Sequence, residues 1–338
     1  MPLILPYEGV SPKINGEPRA SGRHASLIGR AEIGARFTMA PRAVIRADGH
    51  FVRIGDDFSI GVGSTVHIAH GVLPTIVGHR VAVGDNACVH ACTVGDDCVI
   101  GHGVVVLDGS VVDDDVVIED GATVFPRGRL ESGYLYGGSP AKPIRKLTEG
   151  EREIRSLQLR EAAARAIVKE QADAAPPSSH ENFVASTANL RGRVEMAERS
   201  SVFFSCVLDA KDGEISIGHA TNIQDNTLIE CTGGKVVIGT DTTIGHNVTI
   251  RDSVIGNRSL VGIGASLSPG TVVEDDVLVA AGATTTPGQR LMSGSVWGGR
   301  PARPIGVLDE AKRQMMQEII GHYCQYAETY KSIEDSAS

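Results

Sequence analysis

Aliphatic residues return at every sixth position through long stretches of this sequence, and Gly or an acidic residue typically follows them. A period of six fits neither an α-helix, with about 3.6 residues per turn, nor an ordinary hairpin. It places one aliphatic residue at the same point of every short flat segment, so that stacked coils bury a continuous apolar column. The Gly and Asp residues between them suit tight turns. In the first half of the chain this series comprises Val94, Ile100, Val106, Val112, Ile118 and Val124.

The second half of the chain repeats the pattern with its irregularities. A five-residue step from Val89 to Val94 recurs from Ile250 to Ile255, and the segment 137–144 recurs at 298–305 with the same Gly-x-Pro-Ala core. Shared irregularity is stronger support for duplication than shared period, so we predict two diverged copies in tandem. The second series comprises Ile244, Ile250, Ile255, Val261, Leu267, Val273 and Val279.

Each series of repeats is followed by a segment rich in Glu, Arg, Ala, Leu and Gln. We predict helices from Thr148 to about Gln171 and from Asp309 to about Ile333, the first opened by a capping box of Thr148 and Glu151. Two prolines and small residues at 174–179 favour a short linker. The predicted organisation is therefore a first β-helix domain with its C-terminal helix over 1–173, a linker over 174–180, and a second such domain over 181–338.

Length and composition restrict the function. The 338 residues, 41% of them apolar, supply enough core for two domains, and a formal net charge of -9 excludes a large nucleic-acid footprint. We therefore expect no nucleic-acid partner. The six cysteines form no CxxC pair, and the sequence has neither an uninterrupted apolar stretch of about 18 residues nor an N-terminal secretory pattern. These features predict reduced thiols, a cytoplasmic location and no membrane partner.

Hexapeptide repeats that end in a Gly-x-Pro-Ala motif resemble the left-handed β-helix superfamily. Within it, the segments 129–141 and 89–96 resemble the γ-class carbonic anhydrases, and the resemblance covers nearly all of both halves. It implies a mainly β fold of two left-handed parallel β-helix domains, each followed by an α-helix. It also implies a homo-oligomer with trimeric or pseudo-trimeric packing. The left hand comes from the resemblance alone, because ordinary parallel crossovers are right-handed.

The γ-class anhydrases hold a divalent metal with three histidines, the middle one contributed by a neighbouring subunit. His67 matches the first ligand and His90 the third, but Asp85 stands at the middle position. The second half is the complement: His246 stands at the middle position, and Glu230 and Arg251 replace the other two. Contact between unlike halves would rebuild a three-imidazole site for Zn²⁺, or another divalent metal, with an open position for water.

Other matched residues extend this hypothesis. The stretch Asn222-Ile-Gln-Asp225 places Gln224 and Asp225 at positions that line the anhydrase site, and Arg46 and Asp48 match a pair that supports subunit contacts in the family. Arg251 carries a permanent charge and cannot ligate a metal, so we expect it to pair with Asp225, Glu230 or Asp252. Because zinc also accepts carboxylates, a like-half site of His67, Asp85 and His90 stays open as an alternative.

The resemblance implies a lyase that catalyses reversible CO2 hydration on a small-molecule substrate. Gln224 would orient the hydroxide or bicarbonate, and Asp225, Arg46 and Asp48 would hold the surrounding polar network. Two alternatives remain. One is a hexapeptide transferase that uses acyl-CoA with an interface histidine as general base. The other is a degenerate, non-catalytic assembly or binding scaffold, which the loss of two ligand positions favours for the second half.

Overall fold

Short parallel strands that stack into coils make up most of the structure, a computed structural model that describes residues 2–169 and 182–337. The chain divides into two units, a first unit of Met1–Ala172 and a second unit of Asp173–Ser338. The predicted linker at 174–180 lies outside the described residues, and the predicted domain limits stay a prediction.

The first unit contains strands β1 to β20 and helix α1. In chain order they are β1 Leu3–Leu5, β2 Lys13–Ile14, β3 Ala20–Ser21, β4 Ser26–Ile33, β5 Thr38–Met39, β6 Val44–Ile54, β7 Ser59–Ile60, β8 Thr65–His67, β9 Thr75–Val77, β10 Ala82–Val83, β11 Cys88–His90, β12 Thr93–Val94, β13 Val99–Ile100, β14 Val105–Val106, β15 Val111–Val112, β16 Val117–Ile118, β17 Thr123–Val124, β18 Arg129–Leu130, β19 Tyr134–Gly137, β20 Lys142–Lys146 and α1 Glu151–Lys169.

The second unit contains strands β21 to β37 and helix α2. In chain order they are β21 Phe183–Val184, β22 Asn189–Met196, β23 Ser201–Val202, β24 Val207–Ile217, β25 Asn222–Ile223, β26 Leu228–Glu230, β27 Lys235–Ile238, β28 Thr243–Ile244, β29 Thr249–Arg251, β30 Val254–Ile255, β31 Leu260–Val261, β32 Ser266–Leu267, β33 Val272–Val273, β34 Leu278–Val279, β35 Arg290–Leu291, β36 Ser295–Gly298, β37 Arg303–Val307 and α2 Glu310–Ala337.

The strand register shows how a period of six builds a coil. Val94 pairs with Val112, which pairs in turn with Leu130, and Ile100 pairs with Ile118, so that parallel partners lie 18 residues apart. Three six-residue segments therefore complete one coil, and each segment lies on one of three faces. Every aliphatic residue of both predicted series is at most 2% exposed. The prediction of a mainly β, hexapeptide-repeat β-helix in each half is confirmed.

Both units share the irregular features that predicted duplication. The five-residue step in each places a non-glycine residue at positive φ, Ala91 at 47° and Asp252 at 38°. At the end of each stack, β19 pairs antiparallel with β20 and β36 with β37, with a register shift at the same point. In both, the proline of the Gly-x-Pro-Ala motif follows a cis peptide bond.

Helix α1 begins at Glu151, three residues after its predicted start, and α2 begins at Glu310, one residue after its own. At α1 the backbone N–H of Thr148 donates to the Glu151 carboxylate at 3.2 Å, which is half of the predicted capping box. At α2 the Asp309 carboxylate accepts from the N–H of Lys312 at 2.9 Å and so caps the helix. The predicted end of α1 lies outside the described residues, and α2 continues to Ala337, a few residues beyond its predicted end. Among the described residues no helix is both long and apolar enough to cross a membrane.

Acidic residues at the coil corners bind backbone N–H groups of the coil before. The Asp56 carboxylate accepts from Ala35 at 2.7 Å, Asp96 from His79 at 2.8 Å, and Asp114 from Asp96 at 2.7 Å. These hydrogen bonds satisfy donors that the turns leave unpaired. They explain why acidic residues follow the aliphatic series so regularly.

Candidate metal centre

Three predicted site residues of the first unit stand side by side on adjacent strands. His67 of β8 pairs in register with His90 of β11. On the other side of β8, Ile45 of β6 pairs with Val66, so Arg46 stands at the next position beside His67. Paired residues of parallel strands point to the same face of the sheet. The register therefore stacks Arg46, His67 and His90 in one column.

A continuous line of polar contacts runs through this column. Arg46 Nη1 forms an ion pair with Asp48 Oδ2, and Asp48 Oδ1 lies 3.1 Å from His67 Nε2. His67 Nδ1 lies 3.3 Å from His90 Nε2. His90 Nδ1 lies 2.6 Å from Asp108 Oδ1. Each imidazole thus has one ring nitrogen against a carboxylate and the other against its neighbour.

The carboxylates decide which ring nitrogens carry protons. His67 Nε2 donates to Asp48 and His90 Nδ1 donates to Asp108, because an ionised carboxylate only accepts. In the neutral imidazoles the two facing nitrogens then both carry lone pairs, which repel at 3.3 Å unless a shared proton or a cation lies between them. Two nitrogen ligands at about 2.0–2.1 Å from a tetrahedral zinc ion are about 3.3–3.4 Å apart. The two imidazoles therefore fit a zinc ion, and a backing carboxylate on each is the usual support for such ligands.

The charged groups at both ends of this line of contacts have partners of opposite charge. Arg46 and Asp48 are fully buried, and a buried charge is tolerated when it is paired. Burial alone would raise the pKa of Asp108, but the charge of His90 and its hydrogen bond outweigh burial, so the pKa of that carboxyl is lowered. Both carboxylates are thus held in the ionised form that accepts from the histidines.

Asp85, the predicted middle ligand of a like-half site, acts as a corner aspartate. Its Oδ1 accepts from the backbone N–H of Val62 at 2.8 Å, and its Oδ2 lies 3.5 Å from Nδ1 of His102. The side chain is 43% exposed. Among the described residues these are its side-chain partners, and neither His67 nor His90 is one of them. The like-half ligand set, in which Asp85 would come from a neighbouring subunit, stays a prediction.

In the second unit, charged side chains occupy the column that holds the histidines in the first. Asp209, Glu230 and Arg251 pair in register on β24, β26 and β29. Glu230 accepts from Lys211 Nζ at 2.8 Å and from Arg251 Nε at 3.2 Å. The hydrogen bond from Lys211 is the main reason that the pKa of Glu230 is lowered. Arg251 thus pairs with Glu230, one of its three expected partners.

His246 lies at the corner of the second unit that corresponds to Asp85. Its Nδ1 lies 3.2 Å from Asp225 Oδ2, and its Nε2 lies 3.2 Å from the hydroxyl of Tyr323 on α2. Asp225 Oδ1 also accepts from the backbone N–H of Phe204 at 3.0 Å. His246 and Asp225 are both buried. His246 therefore has a carboxylate beside one ring nitrogen, as the two histidines of the first unit do.

Gln224 stands next to Asp225 and is 5% exposed. Its side-chain nitrogen donates to the side-chain oxygen of Asn222 at 3.1 Å, and Asn222 donates in turn to Thr243 Oγ1 at 3.0 Å. The predicted polar stretch of the second unit is therefore a connected network inside that unit.

Comparison with known proteins agrees with this geometry. The segments 74–108 and 253–287 match the family described as hexapeptide repeat of succinyl-transferase. Gamma carbonic anhydrase 1, mitochondrial, of Arabidopsis thaliana is 36% identical over 165 residues, which cover 47% of this chain and 60% of the relative. Protein YrdA of Escherichia coli (strain K12) is 38% identical over 156 residues, which cover 44% of this chain and 84% of the relative. This chain belongs to the hexapeptide-repeat family, as a homologue of the γ-class carbonic anhydrases.

The chain spans only part of the length of the first relatives that it matches. The alignments span 60% and 62% of the two first γ-carbonic anhydrase relatives from Arabidopsis thaliana, both named as mitochondrial. Among solved structures, a protein of Desulfovibrio desulfuricans G20 described as a candidate acetyltransferase has a TM-score of 0.54 at 15% identity. The match covers 85% of this chain and 67% of the Desulfovibrio protein, and it shows a likeness of fold alone.

Two residues of this γ-anhydrase homologue were missed by sequence reasoning. Asp108 lies 18 residues after His90, but the strands pair with a 17-residue spacing at this coil, so the period of the repeat alone does not place it beside that histidine. Tyr323 belongs to α2, and no repeat relates a helix residue to a coil corner. No sequence signal pointed to it.

Proposed function

We propose that this chain is a γ-carbonic anhydrase-like metal protein in which His67 and His90 hold Zn²⁺ or another divalent cation. The pair of adjacent imidazoles carries the proposal, since their facing nitrogens lie 3.3 Å apart and each ring is backed by a carboxylate. A bridging proton would account for the distance alone. It would not account for the match of both histidines to ligand positions of the homologous anhydrases.

The proposed third ligand is His246 of a second unit. Each unit by itself is incomplete: the middle position of the first unit is a corner aspartate, and the second unit has Glu230 and Arg251 where the first has imidazoles. Asp225 lies 3.2 Å from His246, as Asp48 lies 3.1 Å from His67. We propose that unlike units share the metal in a homo-oligomer with trimeric or pseudo-trimeric packing.

A zinc ion held by three imidazoles would acidify a water and so supply the nucleophile for reversible CO2 hydration near neutral pH. The residues of the chain prepare that site. Asp48 and Asp108 fix the tautomers of His67 and His90, and Arg46 keeps Asp48 ionised and in place. For His246, Asp225 lies 3.2 Å from Nδ1, and the metal would take Nε2 in place of the Tyr323 hydroxyl. We assign Gln224 the task of donating a hydrogen bond to bicarbonate.

Metal content decides between the proposed ligand sets. Untagged protein is purified from zinc-supplemented cells, and bound metal is measured by mass spectrometry for the wild type and for His67→Ala, His246→Ala and Asp85→Ala. We expect about one metal per wild-type site, loss in the first two variants and retention in Asp85→Ala. His79→Ala is the matched control, because His79 is an exposed corner histidine with no proposed ligand role, and its Nδ1 accepts from the backbone N–H of Asp56. Loss in Asp85→Ala with retention in His246→Ala would select the like-half site instead.

Activity is a separate measurement on the same proteins. We expect CO2 hydration, followed by stopped flow with a pH indicator, to be present in the metal-loaded wild type and lost in His67→Ala. A metal-loaded wild type that does not hydrate CO2 would contradict the catalytic part of the proposal and leave the metal site intact. Consumption of acetyl-CoA with a small amine acceptor would point to the acyltransferase alternative.

One observation favours the scaffold alternative for the second unit taken alone. Its column is a salt-bridge cluster of Lys211, Glu230 and Arg251, in which both carboxylate oxygens are engaged by cations. Such a cluster binds no metal, because its cations repel one. We therefore propose that the second unit contributes His246 and its network to a site whose other ligands belong to the first unit.

A further inference from the structure

A cavity of about 410 Å³ lies in the first unit between α1 and the corners of the coils beneath it. Its walls carry four arginines against three carboxylates, on a chain whose formal net charge is -9. Three of the arginines, Arg19, Arg80 and Arg152, form ion pairs with aspartates of the corners. The cavity thus has an ordered, positively charged lining that the proposed metal site does not use.

Arg160 differs from the other arginines of this lining. Its Nη1 donates to the backbone carbonyl of Asp57 at 2.6 Å, its Nη2 to that of Val81 at 3.5 Å, and its Nε to Ser156 Oγ at 3.1 Å. Within the described part of the chain it has no carboxylate within ion-pair distance, although each of its three neighbours has one. Its positive charge is therefore held in place by neutral groups.

The guanidinium of Arg160 retains capacity for a ligand. A guanidinium has five N–H donors in a planar fork, and the three contacts use three of them. Burial, and then the charge of Arg19, lower the pKa of Arg160 against the opposing effect of Asp57 and Asp97. An anion in the cavity would relieve this unfavourable charge. Two fork donors on one planar group suit phosphate oxygens in particular.

The second unit contains a natural comparison for this cavity. The corresponding groove under α2 has a volume of about 160 Å³ and is lined by two arginines, two aspartates and apolar side chains such as Met316. Arg258 and Arg313 both pair with Asp276. Counting along the two helices from their caps, Gly321 stands where the first unit has Arg160. The groove of the second unit, which lacks a counterpart of Arg160, is thus smaller and has no excess of positive charge.

We propose that the cavity beneath α1 binds a phosphate group, either inorganic phosphate or the phosphate of a small phosphomonoester, with Arg160 as its main donor. Arg19 and Arg80 stand at its walls and supply further positive charge. The cavity has room for a small organic group beside the phosphate, and the exposed side chain of Leu157 offers that group an apolar surface. The site is independent of the metal centre and of the proposed CO2 chemistry.

Binding is measured on the full chain by isothermal titration and by phosphorus NMR in low-salt chloride buffer. Inorganic phosphate and glycerol 3-phosphate are the two probes, and tighter binding of the second would identify a phosphomonoester as the ligand. We expect one saturable site per chain in the wild type. Arg160→Gln should weaken binding about tenfold or more, since it removes the charged donor.

Arg165→Gln is the matched control, because it removes the same charge from the same helix at an exposed pair with Glu161. Its affinity should stay within about twofold of the wild type. If Arg160→Gln loosens α1, Ser156→Asp tests the same site with the guanidinium in place, because a carboxylate beside Arg160 should displace phosphate. Circular dichroism verifies the fold of each variant. No saturable binding in the wild type, or equal weakening in Arg160→Gln and Arg165→Gln, would overturn the proposal.

Discussion

His90 Nδ1 lies 2.6 Å from Asp108 Oδ1, one coil further along the chain. This hydrogen bond fixes the proton of His90 on Nδ1 and leaves Nε2 with its lone pair toward His67. Carboxylates that support a ligand histidine in this way orient its ring and raise its basicity, and removing one typically weakens metal binding. Asp108 is therefore the residue by which the proposed site can be tested without removing a ligand.

We predict that Asp108→Asn weakens metal binding by about 10–100-fold, because the amide holds the imidazole less firmly and no longer raises its basicity. The affinity is measured by competition with a chromophoric chelator at pH 7.5. Asp113→Asn is the control, since Asp113 pairs with Arg129 on the surface and touches neither histidine. Equal affinities in both variants would show that Asp108 does not support a ligand.

Glu151 at the start of α1 predicts a pH dependence of stability. The Arg145 guanidinium, and then the N–H of Thr148, bind its carboxylate and hold its pKa below the ordinary value of 4.5. A group whose pKa is lowered by folding stabilises the fold above its unfolded pKa, and this contribution is lost as the pH falls through the folded pKa. We expect Glu151→Gln to lower the free energy of unfolding by about 0.5–1 kcal/mol at pH 7, allowing for partial solvent screening.

The difference between the wild type and Glu151→Gln should shrink progressively as the pH falls below about 4.5, where the unfolded carboxyl begins to bind protons. Urea unfolding at pH 7 and at pH 3 measures it. In an Arg145→Gln background the effect of Glu151→Gln at pH 7 should already be reduced, because the main partner of the carboxylate is gone. A difference that is the same at both pH values would rule out this ion pair as its source.

The contacts of Tyr323 predict how strongly α2 is held against the coils of the second unit. Its hydroxyl contacts His246 Nε2 at 3.2 Å, and its ring packs edge-on against Phe203 at 5.0 Å between centroids. We expect Tyr323→Phe to cost about 0.5–1.5 kcal/mol, as a lost buried hydrogen bond does, and Tyr323→Ala about 3–5 kcal/mol. Fluorescence of Trp297, the single tryptophan of the chain, reports unfolding of the second unit. Equal costs for both variants would show that the ring contributes nothing beyond the hydroxyl.

The coils and their buried residues were largely predictable from the sequence, because the six-residue period determines the positions of the strand, the turn and the buried side chain together. Val94 and Ile244 are buried where the two series place them, and the duplication shown by the five-residue step recurs in the backbone angles of Ala91 and Asp252. The matching of His67 with Glu230 and of His90 with Arg251 is also reproduced by the strand register. The hand of the coils came from the resemblance alone, since the spacing is the same in either hand.

The contacts that complete the candidate site were harder to predict. Asp85 and Asp108 each stand next to a glycine in the sequence, and only the structure shows that the first binds a backbone N–H while the second binds a histidine. The reason is that a corner side chain can point along the stack or across it, and sequence period does not distinguish the two. Contacts between helix and coil, such as that of Tyr323, depend on docking that no local pattern records.

The two units share the same strand register at the histidine positions. This register predicts how a pair of metal-binding imidazoles could be built in the second unit. Glu230→His together with Arg251→His would place two imidazoles at the paired positions that His67 and His90 occupy in the first unit. Lys211 would remain beside them, since its Nζ lies 2.8 Å from Glu230, and its charge would repel a metal ion. In a His67→Ala background, which removes the native pair, we expect this double variant to bind Co²⁺ only weakly.

Adding Lys211→Asp to that variant should increase Co²⁺ affinity by about tenfold or more, because a carboxylate that can accept from an imidazole replaces a cation. The backbone at Lys211 has φ of 48°, a conformation that Asp tolerates better than most residues, so the substitution itself introduces little strain. Lys235→Asp, which makes the same charge change at an exposed strand end, is the control and should leave the affinity nearly unchanged. The visible absorption of bound Co²⁺ measures both the affinity and the tetrahedral geometry. Equal Co²⁺ affinities in the variants with Lys211→Asp and with Lys235→Asp would mean that net charge, and not a carboxylate beside the imidazoles, governs metal binding in this fold.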